Sequence, residues 1–105
     1  MNFKELGENL GLDEDEYREL VELFLDTGAT DLGNLKDAFE NGDAQQVAKS
    51  AHTLNGASGN LGLLDVHETA KKIEQAANEN KLDGVGDDVG ALQGMFDAIS
   101  SFVNG

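Results

Sequence analysis

The residues best suited to chemistry stand together in the stretch Ala51-His52-Thr53-Leu54-Asn55-Gly56-Ala57-Ser58-Gly59-Asn60-Leu61-Gly62. A histidine with the ordinary pKa of about 6.5 offers a neutral, nucleophilic ring nitrogen near pH 7. A phosphoryl group placed on that nitrogen stays reactive enough to be passed on. On a helix, positions three, four and seven apart share a face, which puts His52 beside Lys49, Asn55, Gly56 and Gly59. The apolar series Val47, Ala51, Leu54, Ser58 and Leu61 points another way, so His52 is predicted to look outward. Glycine is unfavourable inside a helix, and two beside one histidine need a reason. Access is one: with no side chain at Gly56 or Gly59, another protein's active site can approach the imidazole closely. The alternative is that the helix frays after Leu54 and both glycines belong to a loop. Spacing alone leaves both readings open.

Charge points the same way. The chain has 21 acidic residues against 7 Lys and Arg, for a formal net charge of -14, yet no acid stands between Asp43 and Asp65. A transferred phosphoryl group carries close to two negative charges at neutral pH. A carboxylate beside it would oppose that charge, whereas Lys49, one turn away, would help. A gap of this length also arises by chance in such a chain, so it supports the reading without deciding it.

Other chemistries fit poorly. His67 lies near Asp65 and Glu68 on the flank of an apolar stripe, and is expected to be solvated or capping rather than a second phosphosite. No HxxxH or carboxylate–His spacing suggests a metal site. Neither Asp13-Glu14-Asp15-Glu16 nor the segment from Asp83 to Asp88 has the ligand alternation of an EF-hand, and both read as acidic first turns of helices. No Walker loop or dinucleotide fingerprint is present, so nothing is expected to bind ATP. With no Cys there is no disulfide frame or thiol nucleophile, which fits a reducing compartment. The acidic surface disfavours nucleic acid and anionic membranes as partners. The first twelve residues do not read as a signal peptide, and no apolar run nears the roughly 20 residues that cross a bilayer. The expectation is a soluble, cytoplasmic protein.

The elements that must hold His52 are helical. Strand-like alternation is absent, and 105 residues make one domain, 1–105. Four polar residues precede Glu or Gln by three positions: Asn2 with Glu5, Asp13 with Glu16, Asp43 with Gln46 and Asp65 with Glu68. Each is a version of the capping box that begins a helix. Five helices follow. A short one over Asn2 to Asn9 has Phe3, Leu6 and Leu10 as its apolar side. A long one from Asp13 to Asn41 has a stripe through Tyr17, Leu20, Val21, Phe24, Gly28, Leu32, Leu35 and Phe39, with a kink or break allowed at Gly28 and Gly33. The third runs from Asp43 to Asn60, and the fourth from Asp65 to Asn80 with Val66, Ala70, Ile73 and Ala77 inward. A linker from Lys81 to Asp87 leads to the fifth, with Val89, Leu92, Phe96, Ile99 and Val103 inward. Amphipathic helices with short connections predict an all-α antiparallel four-helix bundle, lidded by the short first helix.

Residues 51 to 62 resemble the signature of the histidine-containing phosphotransfer (HPt) family, A-H-x-L-K-G-x-S/A-x-x-L/I/M-G, with matches at Ala51, His52, Leu54, Gly56, Ser58, Leu61 and Gly62. The flanks agree: Gly42-Asp43 before the motif, Thr69-Ala70-Lys71-Lys72-Ile73-Glu74 after it, and a likeness extending from Asp13 to Phe102. The resemblance implies a phosphorelay intermediate that is phosphorylated on His52. It accepts the group from the phospho-aspartate of a response-regulator receiver domain and passes it to another, with a hybrid sensor kinase as a further partner. Mg²⁺ is expected in the partner receiver and no cofactor in this chain. The carrier is expected to be monomeric and to lack kinase activity of its own. Lys49, Asn55, Gly56 and Gly59 become supporting or docking residues. The family usually has Lys where this chain has Asn55, which donates a hydrogen bond but brings no charge. That departure keeps a second reading in view, a helical adaptor that docks a partner without phosphotransfer.

Overall fold

A computed structural model describes residues 2–104. Five helices make up the fold: α1 (Phe3–Asn9), α2 (Glu14–Glu40), α3 (Ala44–Asn60), α4 (Leu64–Asn78) and α5 (Val85–Asn104). The last four close a ring in which α2 packs on α3, α3 on α4, α4 on α5 and α5 back on α2, while α1 rests on α2. The short connections force neighbours to run antiparallel. At 1.5 Å per residue, α2 alone spans about 40 Å, matching the molecule's 41 Å long axis.

Three of the four caps form as expected. Asn2 accepts from the Glu5 amide at 3.1 Å, and Asp43 from that of Gln46 at 3.1 Å. Asp13 and Glu16 bond reciprocally at 2.8 and 3.2 Å. The fourth does not form. The residue before α4 is Leu63, which has no side-chain capping bond, and Asp65 falls inside the first turn. Burial moves the start: Leu63 is packed into the core, and its amide bonds Ser58 O at 3.0 Å around Gly62, whose φ of 72° suits only glycine well. Asp65 still favours the helix, through the dipole.

Two further expectations are corrected. α5 begins at Val85, inside the stretch that reads as a linker. Val85 is 2 % exposed, so the apolar stripe of α5 starts one turn earlier than Val89. α2 runs as one unbroken helix through its glycines. Gly28 is buried against the ring of Phe96, where a Cβ would stand 2.9 Å from two ring carbons. Gly33 faces open space. The remaining stripes hold for the most part, although Leu10 and Leu20 are exposed and Phe39 and Leu61 only half-buried. No described helix is long and apolar enough to cross a membrane.

Tyr17 ties this frame to the α3–α4 turn. Its hydroxyl donates to Leu61 O, and its ring meets Phe3 edge-on at 5.6 Å. Burial raises the hydroxyl pKa above the usual tyrosine value. The neutral form is therefore favoured in the folded state. Its contribution should be complete below about pH 10 and be lost as pH rises through the folded-state value. The alkaline fall in melting temperature should be shallower in Tyr17→Phe than in the wild type; parallel falls would show that Tyr17 is not the group responsible.

The two α2 glycines should respond oppositely to alanine. Gly33→Ala should stabilise by up to about 1 kcal/mol through helix propensity. Gly28→Ala should destabilise by about 1–3 kcal/mol, because the methyl group crowds Phe96. Urea unfolding of both variants checks this, and equal shifts would contradict the packing.

Candidate functional site

The α3 helix continues through Asn60, so Gly56 and Gly59 are helical and the frayed alternative is excluded. Val47, Ser50, Ala51, Leu54 and Ser58 are its buried residues. His52 lies on the opposite side with its side chain 74 % exposed. Lys49, Gly56 and Gly59 are exposed with it, and Asn55 is half-buried toward α4. The structure thus brings together on one face all the residues expected there.

It adds one that sequence spacing missed. Glu74 reaches from α4 to the His52 ring. His52 Nδ1 donates to Glu74 Oε2 at 2.8 Å, and Asn55 Nδ2 donates to Glu74 Oε1 at 3.1 Å. A carboxylate has no hydrogen to give, so the shared proton belongs to Nδ1. In the neutral ring Nε2 then carries the lone pair, and it makes no hydrogen bond among the described residues. The acid-free interval between Asp43 and Asp65 is therefore a gap in sequence and not in space. The available signal was the position of Glu74 next to inward-facing Ile73, on a helix that must lie antiparallel to α3.

His67 corrects a second expectation. It is neither solvated nor a cap. It is half-buried, and its Nδ1 donates to the backbone oxygen of Asn55 at 2.9 Å. A Cβ at Gly59 would stand 2.9 Å from that Nδ1 and 3.1 Å from Cε1. Gly59 thus makes room for His67. Gly56 has nothing within 4 Å of a would-be Cβ, so the helix surface is open there.

Around the ring, Lys49 lies one turn before His52 and makes no ion pair among the described residues. No group of three or more His, Cys, Asp or Glu side chains capable of holding a metal occurs among the described residues. The arrangement is an exposed imidazole with one nitrogen held and the other free of hydrogen bonds among the described residues.

The contact between Gly59 and His67 can be tested by a double-mutant cycle. Gly59→Ala should cost stability despite the better helix former, because it displaces His67 from Asn55. In a His67→Ala background the same change should be neutral or stabilising. A coupling of about 0.5–3 kcal/mol in chemical unfolding is expected for residues in contact; strict additivity would mean that the ring moves aside at no cost.

Comparison with known proteins places this geometry. The chain matches the Hpt domain family over residues 19–102. It is similar to the crystal structure of histidine-containing phosphotransfer protein B (HptB) from Pseudomonas aeruginosa, with 27% identity and a TM-score of 0.77, over 87% of this chain and 79% of that one. A comparison with curated proteins gives no match. With the family matched across most of its length and the helical bundle shared, the chain belongs to the Hpt domain family and is a histidine phosphotransfer intermediate of two-component signalling.

Proposed function

We propose that His52 carries the phosphoryl group, on Nε2, between the aspartates of two receiver domains. The bond from His52 Nδ1 to Glu74 supports this reading most strongly. It turns the ring to a fixed orientation and leaves Nε2 as the nucleophile. The Nε2 lone pair attacks phosphorus in line. The new N–P bond forms as the aspartyl O–P bond breaks, and the aspartate leaves with that electron pair. No proton has to leave Nε2, and Nδ1 keeps its own. The ring gains positive charge as the bond forms, and the Glu74 carboxylate beside Nδ1 offsets it. The reverse step returns the electron pair to Nε2 and the phosphoryl group to the second aspartate. Mg²⁺ held by the receiver would supply charge stabilisation on the transferring oxygens.

The open helix surface at Gly56 lets the receiver's active site close over the ring. Lys49 stands beside it as a supporting cation. Nothing in the sequence binds ATP, so the proposed carrier has no kinase activity. A net charge of -14 argues against nucleic-acid and membrane partners. We assign the carrier to the cytoplasm as a monomer, because a dimer interface over His52 would block transfer.

The test is transfer from a labelled phospho-receiver to the wild-type chain and to His52→Gln and His67→Gln. Acid-labile label should appear on the wild type and on His67→Gln and be absent from His52→Gln. ATP with Mg²⁺ alone should label none of them. Label retained on His52→Gln would refute the assignment.

A further inference from the structure

His67, Lys71 and Glu74 follow one another on α4 at intervals of four and three, so they share a flank of that helix. Both outer members of this row are fixed against α3. His67 bonds Asn55 O at 2.9 Å, and Glu74 bonds His52 and Asn55 at 2.8 and 3.1 Å. Lys71 is exposed between them on the same flank of α4, one turn before Glu74.

The turn of α3 from His52 to Asn55 has a charge problem. Glu74 already sets a carboxylate against His52, and a phosphoryl group would add close to two more negative charges. Asn55 contributes none. Of the 7 cationic residues, most are engaged elsewhere. Arg18 donates to Val103 O at 2.7 Å and lies over the Phe3 ring. Lys36 donates to Gln93. Lys72 pairs with Asp88 at 3.5 Å, and Lys81 with Glu79 at 3.8 Å. Lys4 is on α1, which rests on α2 and nears the α3–α4 turn, where Leu6 lies 3.7 Å from a would-be Cβ of Gly62. Lys49 and Lys71 remain, neither of them in an ion pair among the described residues. Lys49 borders His52 along α3. Lys71 lies on α4 one turn from Glu74, which bonds the His52 ring. Glu74 accepts from His52 and Asn55 and forms no ion pair with Lys71 among the described residues.

We infer that Lys71 contacts the phosphoryl group on His52 and supplies, from α4, the positive charge that position 55 lacks. The inference rests on His52 being the phosphoacceptor. Lysine suits the role, as a compact charge on a flexible four-carbon stem that can swing onto the group once it arrives. Lys72 is the natural comparison. It removes the same charge from the same helix when mutated, but it points toward α5 and Asp88.

The experiment uses phosphoramidate as donor, so that receiver docking does not enter. Its P–N bond breaks and ammonia leaves with the electron pair as the Nε2–P bond forms. Labelling rate is followed, and the phosphoryl group is titrated by phosphorus NMR. In Lys71→Gln, labelling should slow several-fold. The phosphoryl titration midpoint should rise by about half a unit, since a neighbouring cation favours the more anionic form. Lys71→Arg should stay close to wild type, and Lys72→Gln should change neither quantity. Circular dichroism and melting should show all three folded. If Lys71→Gln and Lys72→Gln agree in both quantities, Lys71 makes no such contact and the inference falls. Equal labelling of His52→Gln would instead overturn the phosphoacceptor assignment itself, so the two failures are distinguishable.

Discussion

A carboxylate crossing from α4 to α3 determines which nitrogen of His52 is held and which is left without a hydrogen bond among the described residues. For Glu74 to reach both His52 and Asn55, the two helices must lie close and in one register. The buried residues that face the core from α4 include two alanines, Ala70 and Ala77, and those on α3 include Ala51, Ser50 and Ser58. Small side chains allow close approach, and the Ser58 hydroxyl is satisfied within α3 by Leu54 O at 2.6 Å. His67 fitted over Gly59 fixes the same register from the other end of the seam. The tight turn at Gly62, with Leu63 buried, leaves little room to slide. The chemistry of the exposed ring thus depends on packing that is mostly out of solvent.

Asn55 has a definite place in that arrangement. Its side chain holds one oxygen of Glu74 and its backbone oxygen accepts from His67. It is the joint between two contacts from α4. A lysine there would bring charge close to the ring but would also compete with Nδ1 for Glu74. The asparagine keeps the carboxylate on the histidine, and that gives the departure from the usual signature a structural meaning. It also removes the main sequence-level ground for regarding the chain as a mere adaptor.

Local rules made much of this legible. Helix starts at Asn2, Asp13 and Asp43 followed from short polar side chains and free backbone amides, and these are interactions within three residues of one another. The inward stripe of α4 followed from a period of 3.6. What escaped was tertiary. Asp65 carries the same local pattern as the other caps, yet burial of Leu63 moved the start of α4 past it. The pair Gly84 and Gly86 reads as a linker, but Val85 between them is needed in the core, and Gly86 leaves space for Phe39, 3.3 Å from a would-be Cβ. Gly28, Gly56 and Gly59 look alike in sequence and differ only in what stands opposite: Phe96, open space and His67. Glu74 was invisible as a site residue because its partners are 22 and 19 positions away.

An acidic chain that must carry a dianion faces opposing requirements. Distributing 21 carboxylates over the surface keeps the protein soluble but raises the cost of any further negative charge. Removing every acid from around His52 would relieve that cost and would also free the imidazole to turn and its proton to sit on either nitrogen. Retaining one carboxylate, on Nδ1 and on the far side of the ring from Nε2, separates the two effects. Charge on Glu74 is partly matched by two donors, Asn55 and the ring itself, and that match improves as the ring becomes cationic on phosphorylation. With His52 as the proposed phosphoacceptor, the carboxylate would oppose the incoming phosphate at a distance while stabilising, in contact, the ring charge that the transfer creates. The Nδ1 contact is direct at 2.8 Å, whereas the repulsion acts across the ring toward its 74 % exposed side, where water and salt screen it.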